Sequence, residues 1–320
     1  MISIDNLTFD YPTKRALTEV SCTIAAGSVT ALVGPNGAGK TTLMRCLAGL
    51  DQPVTGAVAV DGVDVLAKPR LAHRHIGYLR DLFGLYDELS VRRCLAFHAA
   101  AFGVDRAERP ARIAWAAEAL GLTDRLGEKA GRLSRGLRQR LAIAQVVIHK
   151  PKVLLLDEPA SGLDPEARME LSRFIVNLNG EGMTILVSSH ILAELEDYST
   201  DVLIVSGGRI VDHQHLHDRA GEGLSGRSAW LALRFVGETT AASVEASLRR
   251  QDQVRDVLPD GDMVRFRFVG TAEERARLLA ALVADGIAVA SFGEARDLVQ
   301  DAYLKSVRRA AAPAAPEASP

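Results

Sequence analysis

The sequence predicts an α/β fold with a buried parallel sheet over residues 1–220, followed by a smaller α+β domain. Three observations carry this prediction. Four short apolar runs, at 29–33, 153–156, 184–188 and 202–205, lack polar alternation, as strands buried on both faces do. Helical patterns lie between them, the alternation of an α/β architecture. After a Gly-rich break at 221–227 the pattern changes to apolar–polar alternation.

The elements follow in order. Gly27 and Gly34 bound the first apolar run, and Pro151 and Asp157 bound the second. Residues 86–150 interrupt the alternation with a helical insertion. Ser90 caps a helix running through Leu95 to Ala101. A second pattern carries Ile113, Ala117 and Leu120 and stops at Gly121. A third opens at Ser134, places Leu137, Leu141, Ala144 and Ile148 on one face, and ends before Pro151. Beyond the break, Leu231, Leu233 and Phe235 alternate with small or polar residues, and a helix follows around 243–248. Val264, Phe266 and Phe268 alternate with Arg265 and Arg267. Thr271 and Glu274 have capping-box spacing ahead of a helix bearing Leu278, Leu279 and Leu282. A final strand is expected at 287–292 and a helix through Leu298 and Leu304. The order β-α-β-β-α-β predicts a ferredoxin-like domain over 228–307, joined by a linker at 221–227. The Ala/Pro-rich segment 308–320 is expected to be disordered.

Composition narrows the function. The chain has 320 residues, 48% hydrophobic and 24% charged, enough for two cores. Its net charge of −2 argues against a general affinity for nucleic acid or anionic lipid. No run is long and apolar enough for a membrane span, and the first twelve residues lack the basic and apolar regions of a secretory signal. Three scattered cysteines, Cys22, Cys46 and Cys94, suit a reducing compartment and small core positions better than disulfides.

Gly34-Pro35-Asn36-Gly37-Ala38-Gly39-Lys40-Thr41 fits the phosphate-binding pattern G-x-x-x-x-G-K-[ST], with an apolar strand before it and a helical pattern after it, and Thr42 is expected among the nucleotide-binding residues. Chance would supply such a match on the order of 0.005 times in this composition. Glycines let backbone N–H groups turn inward around phosphates, and the helix N-terminus adds a favourable dipole. Lys40 is expected to reach the β- and γ-phosphates, and the Thr41 hydroxyl to bind Mg²⁺. Leu154-Leu155-Leu156-Asp157-Glu158 is an apolar strand ending in two acids. Asp157 suits Mg²⁺ ligation and Glu158 suits a general base toward water.

Together these segments resemble the ATP-binding cassette family, the nucleotide-binding subunits of ABC transporters, over residues 1–220. Leu133-Ser134-Arg135-Gly136-Leu137 looks like the family's signature segment, in which Ser134 and Gly136 would contact a γ-phosphate. Ser161-Gly162-Leu163-Asp164-Pro165 resembles its D-loop, and also reads as a turn with Asp164 capping a helix. The resemblance implies that His190 is the switch histidine and that Tyr11 stacks on adenine. It departs at Arg80-Asp81, where the family has Pro-Gln: Asp81 takes the Gln position and puts the hydrolysis rate in question. Arg135 stands for the first signature glycine and resembles the exporter-type branch. His213, His215 and His217 fall on one face of an extended segment, where a solvated turn is the expected reading and a metal site the minor one.

The resemblance implies a cytoplasmic ATPase subunit, peripheral on the cytoplasmic face of the cell membrane, with ATP and Mg²⁺ as cofactors. It implies a head-to-tail homodimer driving separate transmembrane subunits, with an ABC-2-type exporter layout. A soluble ABC-type ATPase or a weakly hydrolysing, nucleotide-gated regulatory subunit are the alternatives.

Overall fold

The computed structural model describes residues 1–81, 83–189, 195, 198–216 and 228–294. They form two compact units, 1–216 and 228–294.

The first unit opens with β1 (Ile2–Tyr11), β2 (Lys14–Ile24), β3 (Val29–Val33) and α1 (Lys40–Leu47). Next come β4 (Thr55–Val60), β5 (Val63–Asp64), α2 (Pro69–Ala72) and β6 (Ile76–Leu79). Three helices interrupt the strands: α3 (Val91–Ala101), α4 (Arg109–Ala119) and α5 (Arg135–Val147). The unit closes with β7 (Val153–Asp157), α6 (Pro165–Gly180), β8 (Thr184–Ser188), β9 (Asp201–Ser206) and β10 (Arg209–His215).

A six-stranded sheet has the order β10-β9-β3-β8-β7-β6. All its neighbours run parallel except β10, which returns antiparallel on β9. Strands β3, β7 and β8 are buried at every position, which is why their sequences carry no alternation. A second, antiparallel sheet, β2-β1-β4-β5, lies in the same unit. Leu43, Met44 and Leu47 of α1 share one core with Ile2, Leu7 and Leu17 of that sheet and with Leu155, Leu186 and Leu203 of the parallel one. This antiparallel sheet is not foreshadowed by the apolar runs. Backbone at Asn6 and Glu19 has positive φ, and the β1–β2 register shifts between Ile4 and Leu7, so the alternation breaks inside the strands.

The expected helical insertion lies between β6 and β7, which pair directly. Ser90 Oγ accepts from Arg93 N and Ser134 Oγ accepts from Leu137 N, so both serines cap as their positions predict. The insertion is tied to α6: Trp115 Nε1 donates to Glu181 at 3.0 Å, and Arg140 pairs with Glu170 and lies over the Phe174 ring.

The second unit contains β11 (Ser228–Phe235), α7 (Ala241–Arg249), β12 (Val254–Asp260), β13 (Met263–Val269), α8 (Ala272–Ala284) and β14 (Val289–Glu294). Its sheet has the order β12-β13-β11-β14, antiparallel throughout. Val244 and Leu248 of α7 and Leu278 and Leu282 of α8 join Leu231, Leu233, Val264 and Phe266 in one core. Thr271 and Glu274 make a complete capping box. The last strand starts at Val289 rather than at 287, because Ile287 is spent in the turn that closes α8, donating to Leu282 O. The expected linker, the helix through Leu298 and Leu304 and the segment 308–320 lie outside the described residues.

Candidate functional site

Parallel strands deliver their C-terminal ends to one edge of the sheet, and that edge is where α/β folds bind ligands. Here the segment 34–41 leaves β3, Asp81 lies two residues after β6, Asp157 ends β7 and Ser188 ends β8. Asp157 and Ser188 are direct partners across the ladder. A cleft of about 360 Å³ opens at this edge, lined among others by Tyr11, Lys40, Thr41, Asp81, Glu158 and Ser161.

The loop's shape is imposed by its glycines. Gly37 and Gly39 have φ of 79° and 109°, which only glycine adopts without strain. A β-carbon at Gly34 would overlap the Val205 carbonyl, so that position admits no side chain. Gly39 is the N-cap of α1 and supplies no side-chain cap, and the first turn of α1 carries no acid. Its N–H groups and dipole therefore face the cleft uncompensated, which favours an anion. Lys40 is buried and its Nζ donates to Gly34 O at 2.6 Å and to Pro35 O at 3.4 Å. Burial holds its pKa below the ordinary lysine value, against the pull of the Glu158 and Asp157 charges.

The acids are held from behind. Ser188 Oγ donates to Asp157 Oδ1 at 2.6 Å and accepts from Glu158 N at 2.9 Å. Asp157 is 1% exposed, and its Oδ2 has no hydrogen-bond partner among the described residues. A buried carboxylate oxygen without a donor is costly unless a cation or water meets it. Glu158 sits at φ 49°, the left-handed region, on a residue that is not glycine. Such backbone costs of order 1–3 kcal/mol and concentrates at functional sites. It directs the chain so that Glu158 lines the cleft while Asp157 stays under the sheet edge.

At the rim, the two-residue turn between β1 and β2 sets Tyr11 opposite Lys14, and both line the cleft. Tyr11 packs edge-on against Phe9, centroids 5.0 Å apart, and its Oη lies 3.3 Å from Thr42 Oγ1. The structure thus gathers Tyr11, Asn36, Gly37, Ala38, Gly39, Lys40, Thr41, Thr42, Asp81 and Glu158 at one cleft. Gly34 and Pro35 hold the loop through their carbonyls, and Asp157 lies beneath. Ser134 and Gly136 are not among the cleft's residues; they sit at the start of α5. His190 lies outside the described residues. Sequence reasoning missed Lys14, Ala16 and the bridge made by Ser188, although a serine at the end of a fully buried strand is itself a signal. His213 and His215 are exposed on β10, and His215 Nδ1 meets Asp201 Oδ1 at 2.9 Å. Among the described residues no cluster of three metal-binding side chains occurs. Cys22, Cys46 and Cys94 are free, and burial pushes the Cys46 thiol up to about 12.

A parallel sheet, a glycine loop aimed at an anion and paired acids at the next strand end define a nucleotide-binding α/β protein. Residues 17–161 match the ABC transporter family. The chain is 38% identical over 268 residues to YbhF of Escherichia coli (strain K12), a probable multidrug ABC transporter ATP-binding protein, covering 83% of this chain and 46% of that one. It therefore spans less than half the length of that relative. It is 37% identical over 198 residues to the ABC transporter ATP-binding protein NatA of Bacillus subtilis (strain 168), covering 62% of this chain and 80% of NatA. A solved ATP-binding subunit of an ABC transporter superposes with a TM-score of 0.62 at 31% identity, covering 71% of this chain and 95% of that one. The chain belongs to the ABC transporter ATP-binding family, whose cassettes are ATPases.

Proposed function

We propose that this chain binds and hydrolyses MgATP at the cleft and passes the resulting conformational change to separate membrane-embedded subunits of an exporter. Glu158 carries the reading: a non-glycine residue held in left-handed backbone beside the phosphate loop lysine, in the cleft. Lys40 and the open N-terminus of α1 bind the β- and γ-phosphates. Tyr11 stacks on the adenine. Thr41 and Asp157 hold Mg²⁺, whose chemistry is to neutralise the phosphate charge; the orphaned Asp157 Oδ2 and the hard oxygen donors fit it. Glu158 accepts the proton of the attacking water, and His190 is assigned to steady that water on the family resemblance alone. Ser134 and Gly136 lie outside this chain's cleft, which supports a head-to-tail homodimer in which they face the partner's γ-phosphate.

Export is favoured by the likeness to YbhF and by a second unit whose strand order and direction are ferredoxin-like. The membrane path is assigned to separate transmembrane subunits, with this chain peripheral on the cytoplasmic face; among the described residues no helix is long and apolar enough to cross a membrane. A weakly hydrolysing regulatory subunit is the second reading, favoured by Asp81 in the cleft. Titration of purified protein with a fluorescent ATP analogue tests the binding. Wild type should saturate and Lys40→Ala should not; equal saturation would remove the phosphate loop from the role. Pull-down from detergent extract should return a multi-span membrane protein.

A further inference from the structure

The signature-like segment and the loop after Glu158 are far apart in sequence but meet in the fold. Arg135 Nη2 donates to Ser161 O at 3.2 Å. Gly162 has φ 67°, and a β-carbon there would overlap the Arg135 guanidinium, which fills the space over the glycine. The backbone beneath is fixed by close packing: a β-carbon at Gly136 would sit 3.1 Å from Ala167 Cβ. Two capped helix starts, Ser134 for α5 and Asp164 for α6, are thereby held together. A cation in the first turn of α5 opposes the helix dipole, so the arginine does not serve the helix that carries it.

The contact leads to the site. Ser161 N donates to Glu158 O at 3.1 Å, and Ser161 lines the cleft with Glu158. Arg135 is thus two hydrogen bonds from the backbone carbonyl of Glu158, the residue assigned as base. We propose that Arg135 is a positioning residue for Glu158: it clamps the turn 158–163 onto the start of α5, so that the geometry of the base depends on where the signature segment sits. The inference rests on the hydrolytic reading above. A lysine could keep one donor to Ser161 O but could not cover Gly162 with a flat guanidinium.

Two measurements on the full-length chain test it. In hydrogen exchange of nucleotide-free protein, Arg135→Ala should speed exchange at the Ser161 and Leu163 amides about tenfold, with Arg135→Lys between it and wild type. In steady-state kinetics Arg135→Ala should lower kcat about tenfold, with KM for ATP within about twofold and the melting temperature unchanged, and Arg135→Lys should recover part of the loss. Unchanged exchange at 161–163 would overturn the clamp. Faster exchange with unchanged kcat would overturn the link to Glu158. A wild type without ATPase activity would count against the hydrolytic reading, and the exchange comparison would still decide the clamp.

Discussion

Single residues set what the cleft does with a nucleotide. Asp81 lies two residues after β6 and lines the cleft in which the proposed γ-phosphate would sit. A unit charge about 4 Å away, at an effective dielectric of about 20, is worth roughly 4 kcal/mol before screening. Only the part that differs between ground and transition state alters the rate. Asp81→Gln should therefore raise basal ATPase activity a few-fold and leave ATP affinity nearly unchanged, in a steady-state assay at matched Mg²⁺. A variant slower than wild type would give Asp81 a ligand role of its own. Asp81 could be singled out from sequence through the family resemblance, because it takes the Gln position that follows 76–79. The left-handed backbone of Glu158 could not, since it depends on Ser188, thirty residues away, catching the Glu158 amide and the Asp157 carboxylate at once.

Elements form where sequence and packing agree. Strands β3, β7 and β8 were legible because they are buried on both faces, and the helix starts at Ser90, Ser134, Asp164 and Thr271 because a cap is a contact within three residues. Strands β1 and β2 were not, because their bulges scramble the alternation. The end of α5 carries a feature with a pH consequence. His149 follows that helix, stacks on Phe102 with centroids 3.9 Å apart, and places Nε2 3.1 Å from Ile76 O. Its Nδ1 is buried without a partner among the described residues. Burial lowers its pKa from 6.5 to about 4. The unfolded chain then binds more protons than the folded one between those values, so stability falls as pH drops from 6.5 toward 4, by about 3 kcal/mol at most. His149→Phe keeps the stack and removes the titration. Its urea midpoint should lose less than that of wild type between pH 7 and pH 4.5; equal losses would clear His149 of the effect.

At the scale of the whole molecule, the nucleotide cleft is built entirely from residues of the first unit, and the second unit has a core of its own. A chain cut near Gly223 should melt cooperatively and bind MgATP with an affinity within about threefold of the full chain. Loss of binding with a cooperative melt would show that the division is wrong. The change of period after 221–227 is the sequence signal from which that division is proposed, while the contact of Arg135 with Ser161 and Gly162 had no sequence signal, since it joins segments that only the fold brings together. Glu158→Gln probes the proposed role of Glu158 as the base for ATP hydrolysis at the edge of the parallel sheet. The change keeps size and hydrogen bonding and removes basicity. Single-turnover hydrolysis should fall by roughly 10²–10⁴-fold while ATP affinity holds, and the variant should accumulate an ATP-bound dimer on size-exclusion chromatography. Turnover near the wild-type rate would remove Glu158 from the role of base.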